Sequence, residues 1–270
     1  STQNAADGDA RTTAVMASGV RMLDKLGAWE SLEPISAPLR YLELVDDSTG
    51  TALNQRFDAG EIDQEWFAQN IPNEALKTAL RGALEPFSNV TLMPKDRVVS
   101  ISDRDDHLKI ETEHSRLKTR LLVAADGHRS ACRALLRLPI SQSKPRETAL
   151  VFNTDHDDDH NGISYEFHGP LGRSFDGIKD DTTAQVTTIP LPGKRSAINV
   201  VGVEATMTAL AALSDHELQK AVTKATRGKL GHITRAEAPK AYPIRPFRAR
   251  RLSTGRAVLV DTDMRRPRVH

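Results

Sequence analysis

Leu121-Leu122-Val123-Ala124-Ala125-Asp126-Gly127-His128-Arg129-Ser130-Ala131-Cys132-Arg133 is the stretch around which the rest of the chain is organised. Its first four residues form a short apolar run, which reads as a buried strand. Asp126-Gly127 then ends the strand in a tight turn. Ser130 and the run Ala131 to Leu136 read as the start of a helix. A strand that feeds a polar turn and a helix is where α/β proteins hold phosphate and ribose groups. Taken without its neighbours, an Asp-Gly pair after a strand is an ordinary turn.

Composition narrows the function classes. The chain has 270 residues, enough for one large domain or two modest ones. Its formal net charge of +1, with 27% charged residues, supplies no field that points to nucleic acid or an anionic membrane. Aromatic residues at 4% leave few platforms on which bases could stack. The single cysteine, Cys132, excludes an internal disulfide and suits a reducing compartment. Its place just after the turn reads as a packed side chain rather than a nucleophile. No apolar run approaches the ~18 residues of a membrane-spanning helix. The expected location is the cytoplasm, with peripheral attachment to the inner membrane as the variant.

In chain order, Arg11-Thr12-Thr13-Ala14 reads as the opening of a helix with Val15, Val20, Leu23 and Leu26 on one face, ended at Gly27. Residues 39–45 and 51–57 read as strands. Asn73 reads as the N-cap of a helix carrying Leu76, Leu80 and Leu84. Four strands follow, at 89–92, 97–102, 108–112 and 117–124. Past the turn, strands are expected at 148–153, 163–167, 186–191 and 197–203, with a polar loop over 172–184. Helices follow at 207–213 and 216–225, the second with a capping box formed by Ser214 and Glu217. His156-Asp157-Asp158-Asp159-His160 has metal-ligating residue types but reads as a solvated turn, since adjacent residues in a loop rarely converge on one ion. The arginines from 245 to 268 lack aromatic interleaving and read as solvated positions.

The string Val123-Ala124-Ala125-Asp126-Gly127-x-x-Ser130-x-x-Arg133 resembles the second flavin fingerprint of the FAD-dependent aromatic hydroxylases. The resemblance implies that Asp126 contacts the ribityl and pyrophosphate region of FAD and that Arg133 supports the same loop. The segment from Arg11 to Leu26-Gly27-Ala28-Trp29 is similar to the ubiquinone-biosynthesis group of that family, and this implies that Arg11 lies near the flavin. By the same likeness, backbone groups near Val98 approach the adenine, and Asp261 stands for the aspartate of the family's last flavin fingerprint, with Asp263 as the other candidate. The stretches Phe167-His168-x-Pro170 and Pro190-Leu191-Pro192-Gly193 resemble the family's substrate-domain sheet.

The implied fold is α/β: an incomplete, Rossmann-like FAD-binding domain interleaved with a mixed β-sheet substrate domain. Its expected division is 1–140 for the FAD part, with inserted strands over 39–57, then 141–244 for the substrate sheet and 245–270 for a return to the FAD part. The implied activity is monooxygenation: reduced FAD and molecular oxygen hydroxylate an electron-rich aromatic ring carrying a polyprenyl tail. NAD(P)H or another donor would supply the electrons, and other ubiquinone-biosynthesis proteins would be the partners. No acid or base stands out, so no catalytic residue and no metal ligand is expected.

Two departures set alternatives beside this reading. No Gly-x-Gly-x-x-Gly occurs, although the family uses one to cradle the pyrophosphate. After Asp261 the chain also leaves the family's pattern. One inserted base would turn a coding of Asp263–Arg268 into Ala-His-Ala-Pro-Pro-Ala, which is closer to that pattern. The chain is therefore expected to be truncated at both ends and poorly stable alone. The alternatives are a non-catalytic remnant that no longer binds FAD, and a related prenyl-lipid flavoprotein reductase.

Overall fold

The computed structural model describes residues 9–46, 53–127, 129–142, 147–170, 183–244 and 247–260. The chain forms two compact units, one from residues 1–88 and 146–244, the other from 89–145 and 245–270. The break after residue 244 is shared with the sequence division, but residues 1–88 group with 146–244, because Tyr41–Asp46 and Leu53–Asp58 join the sheet built by residues 147–244.

The first unit is built on a mixed eight-stranded sheet. Its hydrogen-bonded path runs Ile233–Ala236, Glu147–His156, Arg195–Val203, Thr183–Leu191, Ile163–Pro170, Tyr41–Asp46 and Leu53–Asp58, and Lys240–Ile244 also pairs with Glu147–His156. All pairs are antiparallel except Ile163–His168 against Tyr41–Asp46, which is parallel. Alternation explains why these segments are strands. In Glu147–His156 every second residue from Thr148 is buried, and its neighbours are half-exposed. Leu150, Phe152, Tyr165, Phe167, Val186, Ile198 and Val200 all point to one face.

Two helices, Glu204–Ala211 and Asp215–Ala225, cover that face with Met207, Leu210, Leu218 and Val222. The expected capping box starts the second helix. The Ser214 hydroxyl accepts from the Glu217 N–H, and the Glu217 carboxylate accepts from the Ser214 N–H at 2.9 Å. Gly162 lets the sheet turn in close quarters. Its φ is +70°, and an added Cβ would lie 3.1 Å from the Pro38 carbonyl oxygen. The Gly162 carbonyl meanwhile accepts from the Arg40 and Tyr41 N–H groups.

A three-stranded antiparallel sheet in the same unit joins Thr12–Met16, Ala68–Pro72 and Ala37–Leu39. Here the structure corrects the sequence reading. Arg11 to Ala14 does not open a helix. The β-branched Thr12, Thr13 and Val15 lie in a strand paired with Ala68–Pro72, and the helix begins only at Ala17. Asn73 is likewise not the cap of Asn73–Gly82. It is the first helical residue, and its side chain accepts from the Thr13 hydroxyl at 2.6 Å.

The second unit contains the antiparallel meander Val98–Asp103, Leu108–Thr112 and Arg116–Thr119. Residues 89–92 form no strand, and the expected strand over 117–124 breaks at Arg120. Leu122–Ala124 then pairs in parallel with Ala257–Leu259, so the two ends of this unit's sequence meet in one sheet. Ala124, Cys132, Leu138, Ala249 and Leu259 form its core, with Leu108, Ile110 and Ala257 beside the meander. The polar loop expected over 172–184 falls almost wholly outside the described residues.

Candidate flavin site

The strand Leu122–Ala124 delivers Asp126 to a turn at its C-terminal end. Gly127 has φ +76°, a conformation that costs glycine nothing. The chain then enters the helix Ala131–Leu135, capped by Ser130, whose hydroxyl oxygen accepts from the Arg133 N–H at 2.9 Å. Asp126 reaches across this turn. One carboxylate oxygen accepts from the Ser130 hydroxyl, and the other accepts from the Cys132 N–H at 3.0 Å.

Partial burial pulls the Asp126 pKa upward, but the hydrogen bonds from Ser130 and Cys132 outweigh it. The carboxyl therefore stays below its ordinary range. The same arrangement silences Cys132. Burial, then the neighbouring Asp126 charge, pushes its thiol up to about 11, so it is a packed thiol and not a nucleophile.

Asp126 thus remains an exposed, ionised acceptor held rigidly at a strand end, with lone pairs beyond those used by Ser130 and Cys132. Such an acceptor fits a polyhydroxylated ligand such as a ribityl chain. Arg133 sits half-buried in the helix that Ser130 caps. Val98 opens the first meander strand, and its partly buried side chain packs against both apolar clusters of this unit. Asp261 lies outside the described residues. The N–H of Val260, the residue before it, donates to the Ala124 carbonyl at 2.8 Å.

Arg11 belongs to the other unit. Its Nε and one terminal nitrogen grip the two oxygens of Asp9 at 2.7 and 2.8 Å, and its guanidinium lies 4.8 Å from the centre of the Tyr242 ring. The Arg11 hydrogen bonds hold the Asp9 carboxyl far below its usual range. Much of Arg11's fork is therefore spent within the protein, and one guanidinium edge is left to meet a ligand.

Two features escaped the sequence reading. The first concerns the His156–His160 cluster: its aspartates, Asp157 to Asp159, are exposed as expected of a solvated turn, but its two histidines are not. His156 is buried, with Nδ1 at 2.7 Å from the Asp158 carbonyl and Nε2 at 3.0 Å from the Ser196 hydroxyl. The Nε2 of His160 lies 2.8 Å from the Leu191 carbonyl. Both imidazoles pin the loop to the sheet. Among the described residues no three His, Cys, Asp or Glu side chains converge as a metal site.

The second is the face of the large sheet that the two helices leave uncovered. On it, Nε2 of His168 lies 2.9 Å from the Glu166 carboxylate, and the Gln185 amide donates to the same carboxylate oxygen. An i, i+2 pair on a strand shares a face, and that spacing was the signal available in the sequence.

The FAD binding domain family matches residues 3–261. The chain belongs to that family. Curated relatives include the ubiquinone hydroxylase UbiL of Rhodospirillum rubrum, 27% identical over 195 residues, covering 72% of this chain and 42% of the relative. Another is the 3-demethoxyubiquinol 3-hydroxylase of Escherichia coli, 23% identical over 239 residues, covering 87% of this chain and 57% of the relative. The chain thus spans about half the length of these curated relatives.

Among solved structures, Pseudomonas aeruginosa PqsL in complex with 2-aminobenzoylacetate aligns with a TM-score of 0.73 at 15% identity, over 94% of this chain and 69% of that one. Klebsiella pneumoniae HpxO complexed with FAD and uric acid aligns at 0.65 and 18% identity, over 92% and 62%. These likenesses establish a shared fold. No helix among the described residues is long and apolar enough to cross a membrane.

Proposed function

We propose that this chain carries part of an FAD-dependent monooxygenase that hydroxylates an aromatic ring of the ubiquinone type. The observation that carries the proposal is the family match over nearly the whole chain, joined to the Asp126–Ser130–Cys132 network at the end of a parallel strand. The names of the two curated relatives favour a quinol ring as substrate, and a prenyl tail on that ring suits the apolar character of such molecules. Molecular oxygen is the co-substrate. The electron donor is a nicotinamide nucleotide or another reductant.

FAD, when bound, supplies the oxygen-activating redox chemistry. The chain's own residues bind and orient. Asp126 would hold FAD by the hydroxyls of its ribityl chain, and Ser130 keeps that carboxylate in place. Arg133 steadies the helix start behind the loop. Backbone groups near Val98 would serve the adenine end of FAD.

The test is a single-turnover assay. The chain is mixed with FAD, reduced, and exposed to oxygen with a short-tailed demethoxyubiquinol, and the product is read by mass spectrometry. Gain of one oxygen atom on the ring supports the proposal. Reduction of the ring without oxygen gain would favour a flavoprotein reductase instead.

A further inference from the structure

Leu53–Asp58 ends the hydrogen-bonded path of the large sheet, and its outer edge has no strand beside it among the described residues. Leu53 to Phe57 are all exposed, Leu53 at 62% and Phe57 at 42%. Sheets usually guard such an edge with charge, proline or a bulge. The other end of this sheet does so, because Ile233–Ala236 and Lys240–Ile244 carry Arg235, Lys240 and Pro243. Leu53-Asn54-Gln55-Arg56-Phe57-Asp58 has neither lysine nor proline, and its register with Tyr41–Asp46 runs without a shift. Arg56, the strand's cation, is folded back over the Tyr41 ring, with its guanidinium 4.0 Å from the ring centre.

The backbone fixes which peptide groups point outward. The Tyr41 N–H donates to the Gly162 carbonyl at 3.2 Å, on the side of Ile163–Pro170. The Ala59 N–H donates to the Arg40 carbonyl at 3.0 Å, in line with the ladder between Tyr41–Asp46 and Leu53–Asp58. Hydrogen-bonded and open pairs alternate along an antiparallel ladder. Leu53, Gln55 and Phe57 therefore bond inward, to Asp46, Leu44 and Leu42. Asn54 and Arg56 turn their N–H and C=O groups out. The outward Arg56 carbonyl accepts from the Gln55 side-chain amide at 3.3 Å, a stand-in for a neighbouring strand.

We propose that this edge pairs with the same edge of a second copy of the chain, antiparallel, about a twofold axis at Gln55. Outward peptide groups must meet outward ones, so the axis passes through a residue and not between two. An axis at Arg56 would set two guanidinium groups opposite each other, which is unfavourable. An axis at Asn54 would pair Leu53 with Gln55 and carry Phe57 past the end of the strand. With the axis at Gln55, Asn54 of each copy exchanges both backbone hydrogen bonds with Arg56 of the other. Leu53 then faces Phe57 twice on one side of the joined sheet, so each exposed apolar side chain is covered by its counterpart. No like charges stand directly opposite. The contact is isologous and closes at a dimer. It is small, so the dimer is a reversible one.

This inference is independent of the flavin reading, and the full chain tests it without cofactor. Sedimentation equilibrium of the wild type should show a reversible monomer–dimer equilibrium. Gln55→Lys and Gln55→Glu each set two like charges opposite one another on the axis. Each should weaken dimerisation about fivefold, with cooperative melting retained because the side chain is exposed. An equimolar mixture of the two should dimerise again, to within about twofold of the wild type. Gln55→Cys reports the register. Its oxidation should give a covalent dimer, since directly opposed residues lie within disulfide reach. Arg56→Cys, which stands diagonal to its own counterpart, should not cross-link. Cys132 is buried and does not interfere.

A wild type that stays monomeric at concentrations on the order of 100 µM would overturn the proposal. So would a dimer that both charged variants leave intact, a mixture that dimerises no better than either variant alone, or cross-linking of Arg56→Cys in place of Gln55→Cys.

Discussion

Replacing Asp126 by alanine removes the acceptor on which the turn 126–132 converges, and the structure sets the scale of the effect. Two hydrogen bonds to an ionised group are lost, one from the Ser130 hydroxyl and one from the Cys132 N–H. Each such bond is worth about 1.5–3 kcal/mol when shielded from water. Asp126 is largely open to solvent, so the sum is discounted to about 1–2 kcal/mol. Ser130 retains its bond to the Arg133 N–H, so the helix cap survives.

The pH dependence has a fixed sign. The folded Asp126 pKa lies below its unfolded value, so its contribution is present above about pH 4 and is lost as pH falls through the folded pKa. The assay is urea denaturation of the wild type and Asp126→Ala, at neutral pH and again in acid. The two chains should differ by about 1–2 kcal/mol at neutral pH and converge as pH drops. A difference under about 0.3 kcal/mol at neutral pH, or one that grows in acid, would refute the reasoning.

Other outcomes follow from the same physics. Cys132, buried and with its thiol pushed up to about 11, should react negligibly with a thiol reagent at pH 8 in the folded chain and readily once unfolded, as a timed labelling assay would record. Phe152→Ala empties the centre of the large sheet's core and should cost about 3–5 kcal/mol, read by denaturation, because Phe152 is only 1% exposed. Arg11→Ala leaves the mostly buried Asp9 carboxylate without its main partner. It should lower stability near neutral pH by about 1–2 kcal/mol, with the difference shrinking in acid as Asp9 takes up a proton.

Much of the fold was legible because it rests on local patterns. The alternating residues of Glu147–His156 and the Ser214–Glu217 capping box need no distant partner to be recognised. The turn at Asp126-Gly127 and the helix after Ser130 were legible for the same reason. Errors arose where pairing overrode local preference. Thr12–Met16 carries a helix-like apolar spacing, yet a waiting strand, Ala68–Pro72, captures it. Asn73 looked like a cap because its chemistry suits one, but Thr13, sixty residues away, claims its side chain.

The candidate site divides along the same line. Asp126 was visible from its loop, since strand, turn and helix are consecutive. Arg11's engagement with Asp9 and Tyr242 depends on side-chain geometry and on a strand far along the chain. His156 shows the converse. One end of a cluster that read as solvated is buried, because His156 lies in the strand Glu147–His156 and finds a partner in the Ser196 hydroxyl, forty residues away.

The central claim is that the Asp126 loop and its surroundings hold FAD, and the most direct measurement is the visible absorption spectrum of the purified chain titrated with FAD. The account predicts saturable uptake of one flavin per chain, with a perturbed flavin spectrum, and uptake weakened at least tenfold in Asp126→Ala. A chain that melts cooperatively yet leaves the flavin spectrum unchanged at saturating FAD would contradict it.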